Sequence, residues 1–269
     1  MNSRVYSPRM ELKGKVAIVT GAGGGGSGTA EARRFAREGG LVVVSDINET
    51  GGRETLRLIE ADGGRAAFFR ADAGVESDVK GLIAFAESTY GGLDILVNNA
   101  SAPYPPQGPL KRWFDAIHVD LLGAMWGTFY AIEAMRRRAG GAIVNIGSTS
   151  ALGHGRKHSN SPGYDVAKMG ITRLTTTLAW LRESDNIRVN CLVPDWVASP
   201  EVKDYWDPLT PEERKTKGAP AVLTTLDEIA DTVVRLVTDE TLAGRILVFA
   251  SGERPRFIPW ADPGYAALE

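Results

Sequence analysis

The sequence predicts an α/β fold in a single domain, a doubly wound parallel sheet with helices on both faces and right-handed crossovers. Two observations carry this. Short β-branched runs alternate with helix-length segments along the whole chain. Four glycine pairs, Gly39-Gly40, Gly63-Gly64, Gly91-Gly92 and Gly140-Gly141, stand just ahead of such runs. There a helix ends on a left-handed residue before the chain turns into the next strand.

The predicted strands are residues 15–20 (KVAIVT), 41–46 (LVVVSD), 65–71 (RAAFFRA), 94–98 (DILVN), 142–146 (AIVNI), 187–193 (IRVNCLV) and 245–249 (RILVF). Apolar runs of this length, without polar alternation, suit strands buried on both faces. Helical patterns lie between them, among them residues 29–38, 54–61, 75–90, 110–138 and 164–183. Two stretches break the rhythm. Residues 195–222 carry four prolines with Trp196, Tyr205 and Trp206, too much chain for a simple connection and suited to a substrate lid. Residues 253–269 are rich in proline and aromatics and lack a helical period.

Composition narrows the function. The 269 residues carry 31 Lys+Arg against 33 Asp+Glu, a formal net charge of −2. That leaves no cation excess for nucleic acid or an anionic membrane surface. No apolar stretch approaches the length of a membrane span, and no early run reads as a signal peptide. A lone cysteine, Cys191, forbids an intrachain disulfide and suits the reducing cytoplasm; its apolar strand makes it a core residue.

Directly after the first strand comes Thr20-Gly21-Ala22-Gly23-Gly24-Gly25-Gly26-Ser27-Gly28, and then a helix. A glycine-rich strand-to-helix turn lets backbone approach a pyrophosphate, whose charge is met by the helix N-terminus. Gly21, Gly26, Ser27 and Gly28 are therefore expected to bind a dinucleotide. Asp46 ends the second strand, 18 residues after Gly28. A carboxylate there accepts hydrogen bonds from ribose hydroxyls and repels a 2′-phosphate. Neither Ile47 nor Asn48 offers a cation for that phosphate, so NAD is expected over NADP, and Asn48 is the better helix cap. Asp72-Ala73 is placed to hold the adenine edge, and Asn98-Asn99-Ala100 to lie beside the middle of the cofactor.

The motif for chemistry is Tyr164-Asp-Val-Ala-Lys168, with phenol and ammonium one helical turn apart. A neighbouring ammonium favours the phenolate, which then serves as base for alcohol oxidation and, protonated, as acid for carbonyl reduction. A Tyr and Lys four apart commonly mark a solvated face. Ser148, ending the fifth strand, strengthens the motif because its hydroxyl can steady the reacting oxygen.

On these residues the chain resembles the short-chain dehydrogenase/reductase family in its NAD-dependent type. The matching stretch runs from Lys15 to about Gly252 and includes Ile187-Arg-Val-Asn190 and the later Pro194, Val197 and Ser199. The resemblance implies a Rossmann-type sheet of about seven parallel strands. It implies that Ser148, Tyr164 and Lys168 act as above, with Tyr164 and Lys168 also meeting the cofactor. Pro194, Val197 and Ser199 would approach the nicotinamide, and dimers or tetramers would form through residues 110–138 and 164–183. The implied domains are an extension at 1–14, a dehydrogenase domain at 15–252 with its substrate loop at 195–222, and a tail at 253–269.

Four departures stand out. The glycine turn is one residue longer than the usual spacing, with Ser27 where an aliphatic residue is usual. Ser101 replaces a glycine after Asn-Asn-Ala. Asp120 stands where the family usually has an Asn completing a catalytic tetrad, so it joins the expected catalytic residues. Asp195 replaces the glycine after Pro194. The segment between Ser148 and Tyr164 is also about three residues longer than usual and holds His154, Arg156 and His158. Without acidic or cysteine partners these do not read as a metal site, and a surface or substrate-facing loop is expected. Arg136-Arg137-Arg138 reads as a solvated helix end.

The expected function is hydride transfer between NAD(H) and a secondary alcohol or ketone, with an alicyclic or aromatic substrate favoured by the aromatic loop and a polyol left open. The alternatives are a catalytically silent NAD-binding regulator or scaffold and, on the same frame, a lyase or epimerase.

Overall fold

The computed structural model describes residues 12–102, 113–152 and 161–260. The helix start at 110–112, the loop with His154, Arg156 and His158, and the chain ends lie outside the described residues.

Seven parallel strands form the sheet: β1 (Val16–Thr20), β2 (Leu41–Asp46), β3 (Arg65–Arg70), β4 (Ile95–Asn98), β5 (Gly141–Ile146), β6 (Ile187–Pro194) and β7 (Ile246–Phe249). An eighth, β8 (Arg256–Phe257), pairs antiparallel to β7, in the stretch read from sequence as a tail. The order is β3-β2-β1-β4-β5-β6-β7-β8. β1 therefore sits between β2 and β4, where successive crossovers depart to opposite faces and a crevice opens at the carboxyl ends of the strands.

Side chains alternate across the sheet, and both faces are covered. Ala17, Val19, Val42 and Val44 pack under Phe35, Ile59 and Val233. Val16, Ile18 and Val43 pack on the other side under Leu82, Ile83 and Met135. The covering helices are α1 (Ser27–Arg37), α2 (Glu49–Ala61) and α10 (Leu226–Thr238) on one face, and α3 (Glu76–Tyr90) and α5 (Gly123–Arg136) on the other.

The pre-strand glycines behave as expected at three of four places. Gly39, Gly63 and Gly91 adopt φ of 85°, 79° and 83°. At the fourth pair Ala139 takes the left-handed role, with φ of 61°.

Four expected boundaries change. Asn48 does cap α2, accepting from the Gly51 amide at 3.1 Å, but the helix starts at Glu49 rather than Glu54. Gly51-Gly52 lies inside it because a Cβ on Gly52 would strike the Phe68 ring. The described part of residues 110–138 is α4 (Trp113–Ala116), a π-helical turn (Ile117–Leu122) and α5. Residues 164–183 divide into α6 (Pro162–Thr177) and α7 (Leu181–Asp185). Thr175, Thr176 and Thr177 each bond back to a carbonyl three or four residues earlier, a competition that weakens helix propagation. Residues 195–222 contain α8 (Pro200–Trp206) and α9 (Pro211–Lys217), each opened by a proline in its first turn.

The triple arginine is not a free solvated end. Arg136, Arg137 and Arg138 pair with Asp185, Glu87 and Asp94, binding α5 to neighbouring elements.

Candidate active site

A cleft of about 690 Å³ opens at the carboxyl ends of the strands. The glycine turn forms one wall. A Cβ on Gly21, whose φ is 66°, would come within 2.7 Å of Ala100 Cα, and one on Gly28 would run into the Gly21 carbonyl. Gly26 caps α1 without any side-chain bond among the described residues, so no cap there takes up the first-turn amides of that helix. Bare backbone, free amides and a helix N-terminus suit a pyrophosphate.

The extra residue of the turn has a structural account. Thr29 Oγ1 accepts from the Gly25 amide at 3.1 Å and donates to the Ala22 carbonyl at 3.0 Å. Thr55 Oγ1, from α2, donates to the same carbonyl at 2.6 Å. Two buried threonines thus hold the longer loop. Ser27 Oγ donates to Asn99 Oδ1 at 2.9 Å, and Asn99 Nδ2 donates to the carbonyls of Thr20 and Gly21. The polar residue in place of an aliphatic one ties α1 to the end of β4.

Asp46 accepts from the Gly23 amide at 2.7 Å and the Asn48 amide at 2.8 Å. Two of its roughly four lone-pair sites remain for ribose hydroxyls. The residues present therefore fit a dinucleotide. Gly21, Gly26, Ser27, Gly28, Asp46, Ile47, Asp72, Ala73, Asn99 and Ser199 all line the cleft. Pro194 and Val197 are not in its lining: Pro194 is buried in β6 and Val197 bridges to Thr224. Asn98 also lines the cleft, with its Nδ2 donating to Asn145, Thr128 and the Ala124 carbonyl. Unanticipated lining comes from His118 and Val119 on the π-helical turn and from Pro200 and Glu201 at the start of α8. The capping serine Ser199 before Pro200 is the sequence signal that brings that helix end to the cleft.

Tyr164 and Lys168 sit in α6, which starts at capping Ser161 with Pro162 in its first turn. The Lys168 ammonium lies 5.4 Å from the centre of the Tyr164 ring. It donates to the Ile146 carbonyl at 3.0 Å and pairs with Asp120 Oδ1 at 3.0 Å, with both side chains buried. Burial alone would draw Lys168 down, but the charge and hydrogen bond of Asp120, together with Tyr164, leave it raised above the ordinary lysine range. Asp120 belongs to the π-helical turn and also accepts from Ser101 Oγ at 2.6 Å and the Ala102 amide at 3.0 Å.

Ser148 follows β5 at the entrance to a 3-10 turn (Thr149–Ala151) that packs on α6. Its Oγ accepts from the Ser150 amide at 3.2 Å, which leaves its own proton to donate elsewhere. Asp195 accepts from Thr149 at 3.0 Å and so clasps this turn to the end of β6, a tie that glycine could not make. Burial pushes the Cys191 thiol up to about 12, the neutral core residue expected.

Comparison with known proteins agrees with this architecture. The family model for short chain dehydrogenases matches residues 15–209. An uncharacterised oxidoreductase of Thermotoga maritima is 36% identical over 195 residues, covering 71% of this chain and 75% of its own. Cis-4-hydroxycyclohexanecarboxylate dehydrogenase of Sinomonas cyclohexanicum is 33% identical, with 88% and 96% covered. Cyclohexanol dehydrogenase of an Acinetobacter species is also 33% identical, with 72% and 78% covered. The crystal structure of a protein from Burkholderia xenovorans, described as a short-chain dehydrogenase/reductase, superposes with a TM-score of 0.79 at 32% identity, covering 90% of this chain and 96% of that one. With its parallel sheet, glycine turn and matched sequence, the chain belongs to the short-chain dehydrogenase/reductase family.

Proposed function

We propose that the protein is an NAD-dependent oxidoreductase that interconverts an alicyclic secondary alcohol and its ketone. The observation that carries this reading is the buried Lys168 ammonium beside the Tyr164 ring, tied through Asp120 to Ser101 in the lining of a cleft walled by bare glycine backbone. Asp46 supports NAD, since its carboxylate would repel a 2′-phosphate and its neighbour Ile47 supplies no cation. The alicyclic class is suggested by the relatives that act on cyclohexanol and on a hydroxycyclohexane carboxylate.

Bound NAD would supply the hydride acceptor. The chain supplies the rest. The glycine turn and the α1 N-terminus hold the pyrophosphate, and Asp46 holds the adenosine ribose. Tyr164 takes the hydroxyl proton as the alcohol is oxidised, and Ser148 donates to the oxygen that changes charge. Lys168 stabilises the phenolate and keeps a hydrogen for the nicotinamide ribose. Asp120 acts on this set through Lys168.

α5 and α6 leave Met125, Phe129, Val166 and Met169 exposed, Phe129 and Val166 at 59% each. Such apolar side chains on paired helices support a homo-oligomer, a dimer or tetramer, formed through these helices. Among the described residues no helix is long and apolar enough to cross a membrane. The lone cysteine supports a location in the reducing cytoplasm.

The test is nicotinamide absorbance over a panel of cyclic and acyclic secondary alcohols, with wild type and Tyr164→Phe. NAD reduction by wild type, strongly diminished in the variant, is expected. Tight NAD binding without turnover on any alcohol would favour a silent NAD-binding protein instead.

A further inference from the structure

Two departures from the family pattern, Ser101 and Asp120, lie 19 residues apart in sequence and meet in space. Ser101 Oγ donates to Asp120 Oδ1 at 2.6 Å and the Ala102 amide to Oδ2 at 3.0 Å. The third donor is the Lys168 ammonium, 3.0 Å from Oδ1. Both ends of the pair are buried, with side chains 3% exposed at Lys168 and 0% at Asp120. Three donors around one carboxylate make the environment of an ion rather than of a neutral amide look-alike.

The geometry points to Ser101 and Asp120 as one functional unit, a buried anion clamp that fixes the Lys168 ammonium in position. The proposal deepens the reading of Lys168 as the partner of Tyr164 and rests on it for its catalytic consequence. Asp120 and Ser101 are positioning residues, since they act through Lys168.

An ammonium has three hydrogens to donate. Asp120 and the Ile146 carbonyl take two, so one remains for the reacting side of the site. The clamp thereby gives Lys168 a single direction. It also opposes the cost of burying a charge, which without a counter-ion drives lysine toward its neutral form.

Among the described residues the titratable groups that face Lys168 are few. Tyr164 lies on its own helix, Asp120 on the π-helical turn, and the neutral Cys191 thiol on β6. Of the other charged groups on elements packed against α6, His118 is turned to the Phe114 carbonyl and exposed, Asp115 of α4 is exposed, and Arg188 of β6 bonds carbonyls at the end of α10. β5, β7 and the 3-10 turn carry no titratable side chain. Among the described residues Asp120 is therefore the carboxylate paired with Lys168.

The experiment is a pH titration of the full-length protein carrying lysine labelled with ¹⁵N at Nζ, the Lys168 resonance being assigned by its loss in Lys168→Arg. In Asp120→Asn, Lys168 is expected to lose its proton about one pH unit or more below wild type. The alkaline limb of the pH–rate profile should move by the same amount. Ser101→Ala, which keeps the carboxylate but removes its 2.6 Å donor, is the milder variant should Asp120→Asn fail to fold. It is expected to speed exchange of the Lys168 ammonium protons severalfold. An unchanged titration in Asp120→Asn, or unchanged exchange in Ser101→Ala, overturns the clamp. Absence of turnover in wild type, with both effects present, sinks the dehydrogenase reading and leaves the clamp standing.

Discussion

The Gly23 amide donates to Asp46 Oδ2 at 2.7 Å, so one carboxylate both steadies the glycine turn and faces the expected ribose. The Asn48 amide holds the other oxygen at 2.8 Å. Asp46→Ala should raise the dissociation constant for NAD by about tenfold to a hundredfold, a loss of roughly 1.4 to 2.7 kcal/mol. NADP, which gains relief from repulsion while losing the same steadied turn, should change much less. Titration calorimetry with both cofactors reads the ratio. An unchanged NAD/NADP preference would contradict the assigned role.

The two threonines under the turn give a second prediction. Thr55→Val deletes the 2.6 Å bond to the Ala22 carbonyl and leaves a buried acceptor with Thr29 alone. Thermal unfolding should show a loss of about 1–2 kcal/mol. NAD affinity should fall severalfold, because the loop that the bond restrains carries the phosphate cradle. Full affinity in the variant would mean that the extra residue is held by something else.

A third concerns Glu31, on the inner side of α1. Its side chain is wholly buried, neither carboxylate oxygen has a hydrogen-bond partner among the described residues, and burial pushes it up from 4.5 to about 8. The folded state binds this proton more tightly than the unfolded chain. Its contribution to stability is thus fully present below about 4.5 and lost as pH rises through about 8. The whole interval corresponds to roughly 5 kcal/mol. Glu31→Gln removes the titration and keeps the shape. Melting temperatures of the two proteins should nearly coincide at acid pH and diverge in favour of the variant toward pH 8. Parallel curves would place Glu31 in a wetter setting than its burial indicates.

The exposed apolar side chains of α5 and α6 give a fourth. Phe129→Glu puts a charge into the expected subunit contact and should shift the protein to a smaller species in light scattering, with its circular dichroism retained. Unaltered mass would move the interface elsewhere.

How far the sequence revealed this molecule depended on the range of each interaction. The seven parallel strands were legible because burial on both faces leaves continuous apolar runs such as Val42–Val43–Val44. β8 was not, since two residues held against the edge of β7 carry no periodic signal. The first turn of α2 was hidden by Gly51-Gly52, whose purpose is the close approach of Phe68 from another element. The cleft residues near the glycine turn were legible because spacing along one strand–turn–helix unit positions them. Ser101 and Asp120 were each visible as departures, yet their bond joins the segment after β4 to a π-helical turn, and no local pattern announces it. The tie from Thr149 to Asp195 was invisible for the same reason.

The most direct test of the central claim is isotope transfer. A cyclic secondary alcohol carrying deuterium at the carbinol carbon is incubated with the protein and NAD, and the nicotinamide is examined by NMR. Deuterium at C4 of the nicotinamide, on one face only, is the result expected, with transfer greatly slowed in Tyr164→Phe. NAD bound tightly to wild type, with no deuterium received from any alcohol in the panel, would contradict the account.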